Sequence, residues 1–201
     1  MSDAPQSPKS NSTPKECACI FVDAANYHYG LDWRIDYQKF AAYYRAHYEI
    51  AKIFYYEGIH SKKSFHDQRS GRTDEEFLTH RAQKLAFFKR LRALGLTVRT
   101  KPIGSVYDKT TGRLNLKCNF DVELTIDALE HLSLYETAIL CSGDGDFTRL
   151  VRYLKAKGKS TIVVAPKKRM SSTLMKAANK TDSPHLHRSE WEQSRQAEKI
   201  G

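Results

Sequence analysis

The residues in this chain best suited to chemistry are carboxylates at the ends of apolar runs. Residues 139–150 read Ile-Leu-Cys-Ser-Gly-Asp-Gly-Asp-Phe-Thr-Arg-Leu, so an apolar stretch stops at a Gly-rich turn holding Asp144 and Asp146. Residues 21–26 repeat the device: Phe-Val-Asp-Ala-Ala-Asn ends an apolar run in Asp23 and puts Asn26 three residues on. A third acidic stretch, residues 117–132, carries Asp121 and Asp127. A turn needs at most one aspartate, and carboxylates gathered at strand ends repel one another unless a cation joins them. Hard oxygen donors of this kind suit Mg2+ or Mn2+, which keep several waters and bind phosphate oxygens. The matching chemistry is in-line attack of an activated water on a phosphodiester. Each acid also has a structural alternative. Asp23 can be a turn or cap residue, Asp144 or Asp146 can cap the helix that follows, and Asp127 can pair with a Lys or Arg.

For the acids to meet, the elements that carry them must be neighbours. Short apolar runs at 18–23, 51–58, 96–102, 138–142 and 160–166 read as strands. Residues 36–48 fit a helix, and 75–95 fit one more clearly, with Phe77, Leu78, Arg81, Leu85, Phe88, Leu91 and Leu94 keeping the 3.6 period and Gly95 as C-cap. Another helix follows residue 142, bearing Phe147, Leu150, Val151 and Leu154 and ended by Gly158. Residues 117–132 are ambiguous. Phe120, Val122, Leu124 and Ile126 alternate as in a strand, but Ala128, Leu129 and Leu132 favour a helix, with Asn119 capping its first turn and Asp121 at the positive end of its dipole. Residues 65–75 read as a polar loop, able to close over a substrate, and 103–117 as a hairpin around Asp-Lys-Thr-Thr-Gly. Strands alternating with helices predict an α/β fold: a Rossmann-like, mostly parallel sheet of about five strands with helices on both faces. Ligands of such sheets sit beyond the carboxyl ends of the strands, where the winding order reverses. Asp23 and Asp144 are predicted to end adjacent strands there.

The 201 residues, 40% of them hydrophobic, suffice for one domain. Residues 1–15, rich in Ser, Pro and Asn, read as a disordered leader, 16–180 as the domain, and 181–201 as a polar tail holding a short helix or none. The N-terminus lacks the apolar segment of a secretory signal and no run approaches a membrane span, which predicts a cytoplasmic protein without a membrane partner. The net charge of +10 favours a polyanionic partner, most simply nucleic acid. Cys17, Cys19, Cys118 and Cys141 form no Cys-x-x-Cys pair, and Cys19 and Cys141 read as small buried apolar residues. Gly158-Lys159-Ser160 fails as a phosphate loop because Tyr153 stands where a glycine is required. No Gly-x-Gly-x-x-Gly follows the first strand and no Gly-x-Ser-x-Gly occurs, which argues against a dinucleotide cofactor and a serine hydrolase.

In order and spacing, residues 21–26, 117–129 and 139–159 resemble the NYN domain of LabA type, in the PIN-like nuclease superfamily. Ser142-Gly143-Asp144-Gly145-Asp146-Phe147 matches that family's Ser-Gly-Asp-x-Asp-Phe motif, and Asp23 with Asn26 its Asp-x-x-Asn. The likeness runs from about Cys17 to about Asn179. It implies a PIN-like fold and a metal-dependent ribonuclease. By motif position Asp23, Asp121, Asp144 and Asp146 form the acidic set around Mg2+ or Mn2+, Asn26 orients a ligand, a water or a neighbouring carboxylate, and Asp127 is a further recurring acid. Lys117 falls at a recurrent basic position. Cys118, where Gly is common, and Asn179, where Asp is common, depart from the pattern without touching the acidic set.

Around these acids, Lys167, Lys168 and Arg169 follow the last apolar run and read as phosphate contacts. Arg81, Lys84, Lys89, Arg90 and Arg92 either track a phosphate backbone or form a solvated helix face. Tyr27, His28, Tyr29 and Trp33 either stack unpaired bases of single-stranded RNA or pack the core. The leading expectation is a ribonuclease, and the alternative a regulatory RNA-binding protein that keeps the pocket without appreciable turnover. A phosphomonoesterase fits less well, because the Asp-x-Asp pair follows a late strand and not the first. A homodimer is compatible with the sequence.

Overall fold

The computed structural model describes residues 14–193 except 29, 69 and 70. In chain order the elements are β1 (Cys17–Asp23), α1 (Ala24–Tyr27), α2 (Tyr37–His47), β2 (Glu49–His60), α3 (Lys62–Gln68), α4 (Asp74–Ala93), β3 (Leu96–Asp108), β4 (Arg113–Lys117), α5 (Asp121–Glu130), β5 (Thr137–Cys141), α6 (Thr148–Ala156), β6 (Ser160–Val164), α7 (Ser172–Ala177), β7 (Lys180–Asp182) and α8 (Arg188–Trp191). The strands form one sheet in the order β4-β3-β2-β1-β5-β6-β7. Every neighbouring pair is parallel except β3 with β4.

Continuous apolar runs make the central strands because both faces of the sheet are covered. Ala18, Ile20 and Val22 of β1 join Ile53, Tyr55, Ile139 and Val164 beneath α2, α4 and α8. Cys19 and Phe21 join Phe54, Tyr56, Leu140 and Val163 beneath α5, α6 and α7. Cys19 and Cys141 are fully buried, and burial pushes the Cys19 thiol up to about 11.

The sheet is of the expected kind but has seven strands, not about five. β3 runs unbroken from Leu96 into the hairpin, which adds β4, and β7 adds a three-residue edge. Residues 65–75 are not all loop: α3 reaches Gln68, anchored by the buried Phe65, on whose ring Arg72 stacks at 4.3 Å. Residues 121–130 form a helix. It buries Leu124, Asp127 and Ala128 and leaves Val122 and Ile126 exposed, so the strand-like alternation is incidental. In α4 only Phe88 and Leu91 are fully covered, whereas Leu78 and Leu85 face outward, contrary to the single buried face the period suggested. Trp191 of α8 is wholly buried against Phe40, Tyr43 and Tyr44, so the chain beyond residue 180 contributes to the core.

Candidate active site at the switch point of the sheet

β1 and β5 lie side by side, with Val22 opposite Cys141. The chain leaves β1 towards β2 on one flank and leaves β5 towards β6 on the other, so their carboxyl ends border the crevice where the winding reverses. Asp23 is the last residue of β1, and Ser142 to Asp146 follow β5 directly. α5 begins at Asp121 and packs across β1 through its buried face, bringing a third acid to the rim.

Carboxylate oxygens of Asp121, Asp144 and Asp146 all lie within 4.8 Å of one another. Hydrogen bonds from the loops hold the carboxylates of Asp121, Asp144 and Asp23. Asn119 braces Asp121 from both sides: its Nδ2 donates to the carboxylate at 2.6 Å and its Oδ1 accepts from the Asp121 amide at 2.6 Å. The Asp146 amide donates to Asp144 Oδ1 at 3.0 Å. Asp23 lies beside this trio, 8% exposed, and caps α1 by accepting from the Asn26 amide at 3.4 Å. Ser142 connects the two strand ends. Its hydroxyl donates to Asp23 Oδ2 at 3.0 Å and accepts from the Asp144 amide at 3.2 Å. Asn26 ties the same loops, its Oδ1 accepting from the Gly143 amide at 2.8 Å.

The electrostatics are those of uncompensated acids. Burial pushes the Asp23 carboxyl up to about 6; the Ser142 and Asn26 hydrogen bonds oppose this, and the charges of Asp121 and Asp144 add to it. Burial also raises Asp121, with Asp144 and Asp146 reinforcing the shift against the Asn119 hydrogen bond. Lys101, whose charge reaches Asp121, is bonded to Glu123 at 2.7 Å. Asp127 belongs to a different environment. It is 3% exposed, and Arg99 clamps its two oxygens at 2.7 and 3.1 Å while the Tyr56 hydroxyl donates at 2.9 Å. Glu130 and His131 stand near Asp127, but His131 Nδ1 bonds the Asp127 carbonyl at 2.8 Å and its Nε2 meets Lys52 at 2.9 Å. In that second group Asp127 and His131 are already engaged by other partners, while the Asp121–Asp144–Asp146 group offers hard oxygen donors suited to Mg2+ or Mn2+.

The basic turn Lys167–Arg169 after β6 lies against the acidic loop. An ideal Cβ on Gly143 would stand 2.4 Å from the Arg169 carbonyl oxygen, and Ser171 donates its amide to the Gly143 carbonyl at 2.9 Å. Lys167, Lys168 and Arg169 are exposed there, and Lys117 is exposed at the end of β4, two residues before Asn119. Tyr27 presents no ring face to a base: it is wholly buried against Phe40, and Trp33 is buried too. His28 is held under the same roof by a 2.7 Å bond to the Tyr37 hydroxyl. Tyr29 lies outside the described residues. Asn119 does not stand at the N-cap of α5, as its spacing suggests: Phe120 does, with no side-chain cap bond, and Asn119 braces Asp121 instead. Ser142 has no separate signal in the sequence beyond its place two residues before Asp144.

A Rossmann-like sheet with convergent acids at its switch point defines the class: an α/β domain of the PIN-like kind. Residues 18–183 match the NYN domain family, and the chain belongs to it. It is 31% identical over 152 residues to the low amplitude and bright protein LabA of Synechococcus elongatus, covering 73% of this chain and 72% of that protein. A crystal structure of a protein of unknown function from Vibrio parahaemolyticus superposes with a TM-score of 0.63 at 25% identity, over 86% of this chain and 95% of that one. Among the described residues, no helix is long and apolar enough to cross a membrane.

Proposed function

We propose that the protein is a Mg2+- or Mn2+-dependent ribonuclease that hydrolyses phosphodiester bonds of single-stranded RNA. The observation that carries this reading is the convergence of Asp121, Asp144 and Asp146 within 4.8 Å from two separate segments, with Asp23 buried beside them from a third. A divalent cation held by these carboxylates would polarise a phosphate oxygen and activate water. Asp121, Asp144 and Asp146 hold it, and Asp23, aimed by Ser142, completes the negative wall. Asn26 keeps the two strand-end loops in register through Gly143. Lys167, Lys168 and Arg169 receive the phosphate backbone beside the acids, with Lys117 on the α5 side. Membership of the NYN family and the net charge of +10 support the same substrate class.

The test is incubation of the purified chain with end-labelled single-stranded RNA in Mn2+, Mg2+ or EDTA, beside Asp144→Asn. The proposal expects cleavage in either metal, none in EDTA, and loss in the variant. RNA binding without cleavage would overturn it in favour of a regulatory RNA-binding protein. Turnover of a phosphomonoester with RNA untouched would assign the pocket to a phosphatase.

A further inference from the structure

α4 carries apolar side chains on two opposite sides, and the domain covers one of them. Inward, Phe88 and Leu91 enter the core, Phe87 packs against it, and Lys84 crosses Phe87 and Phe88 to reach Glu57 at 2.7 Å. Outward, Leu78 and Leu85 are 63% and 47% exposed, with Ala82 and Ala86 exposed between and beside them. The positions 78, 82, 85 and 86 run i, i+4, i+7 and i+8, the spacing of a stripe that seats another helix. Leu78 and Leu85 belong to neither of the two core clusters of the domain.

Charge along the same helix selects what can cover the stripe. The first turn holds Asp74, Glu75 and Glu76, and the last two turns hold Lys89, Arg90 and Arg92. A nucleic acid backbone would match the basic end and be repelled by the acidic one. A second copy laid parallel would set like charges on like. A second copy laid antiparallel matches both ends at once. With Ala82 facing the partner's Leu85, seven residues further out in each direction Glu75 faces the partner's Arg92. Leu78 then lies under the aliphatic stem of the partner's Lys89. This is a self-complementary surface about a two-fold axis, the geometry of the commonest closed dimers.

We infer that α4 is the interface of a homodimer in which two α4 helices pack antiparallel through Leu78, Ala82, Leu85 and Ala86. One helix pair buries less than a standard interface, so the dimer is a weak one, with Kd on the order of 10 µM. The inference is independent of the ribonuclease reading, since no residue of the acidic site enters it.

Sedimentation equilibrium on the full chain, over concentrations from about 1 to about 200 µM, measures the association directly. Wild type is expected to move from monomer to dimer across that range. Leu85→Glu, an outward substitution checked for folding by circular dichroism, is expected to raise Kd about tenfold or more. The charge pattern gives a second test that does not depend on the leucine. Glu75→Lys sets a cation opposite the partner's Arg92, and Lys89→Glu with Arg92→Glu sets anions at the end that faces the partner's Glu75, so each variant alone dimerises more weakly than wild type. Mixed in equal amounts, they regain opposite charges at both ends and associate better than either variant alone. A chain that stays monomeric throughout, a dimer unaffected by Leu85→Glu, or a mixture that associates no better than its components would each overturn the inference.

Discussion

Gly143 is where the basic turn and the acidic loop meet backbone to backbone, and adding one methyl group there tests how closely they are pressed together. A Cβ would lie 2.4 Å from the Arg169 carbonyl oxygen, 2.8 Å from its carbon and 3.1 Å from the Met170 Cα. An ordinary carbon–oxygen contact is about 3.3 Å, so the turn would have to retreat by roughly 0.9 Å. All three atoms belong to the main chain, and no rotamer change relieves them. The retreat stretches the Ser171 amide bond to Gly143 and pulls Gly143 from Asn26 Oδ1. Gly143 is not among the glycines with positive φ, so the requirement is for space and not for a left-handed backbone. Overpacking costs about 1–3 kcal/mol and a weakened hydrogen bond about 1 more, offset by about 0.4–1 from the stiffer unfolded chain. Gly143→Ala should therefore lose about 2 kcal/mol, which at a urea slope of about 2 kcal/mol/M moves the unfolding midpoint down by about 1 M. It should also weaken cation binding, because Asp144 is the next residue. Gly158→Ala is the control: φ is 76° and nothing lies within 4 Å, so it pays only backbone strain of about 1 kcal/mol and leaves the cation affinity unchanged. A Gly143→Ala protein with wild-type midpoint and wild-type cation affinity would refute the reasoning.

Three further outcomes follow from particular contacts. Asp127→Ala leaves the buried Tyr56 hydroxyl without its acceptor while the half-exposed Arg99 turns to water; it should lower stability by about 2–4 kcal/mol in urea melts yet leave Mn2+ affinity intact. Ser142→Ala removes the donor that aims Asp23 and should weaken Mn2+ binding about tenfold by calorimetry, with unchanged affinity counting against the relay. Burial holds His28 below its usual 6.5, and His60 and His80 shift the same way, so the unfolded chain takes up protons first as pH falls. The histidine contribution is full above about pH 6.5 and is lost below it, while the raised Asp23 and Asp121 carboxyls act in the opposite sense; His28→Gln should therefore lose less, or gain more, than wild type between about pH 7 and about pH 5, and an identical pH dependence would exclude His28 as a contributor.

The central strands were legible because burial on both faces demands unbroken apolar runs, and β1, β5 and β6 supply them. β7 was not: Lys180-Thr181-Asp182 has no apolar signal and is a strand only because Val163 and Val164 offer it backbone partners. The outward leucines of α4 misled the period, since apolar residues on two sides of a helix look like one broad buried stripe. Trp191 was hidden in a polar tail, where a single aromatic gives no periodicity, yet it sits under Phe40. The acids were readable because each ends or opens an element. What bound them together was not, because the partners of Ser142 and Asn119 are set by loop geometry that spacing does not encode. Tyr27 and Trp33 show the same limit from the other side: aromatic residues beside a motif can face either way, and here they face the core.

The central claim is that carboxylates from separate segments jointly hold one divalent cation, and calorimetric titration of the chain with Mn2+ tests it most directly. One saturable site per chain is expected, weakened about tenfold or more by Asp121→Asn and by Asp144→Asn alike. No saturable binding, or binding that neither substitution alters, would contradict it.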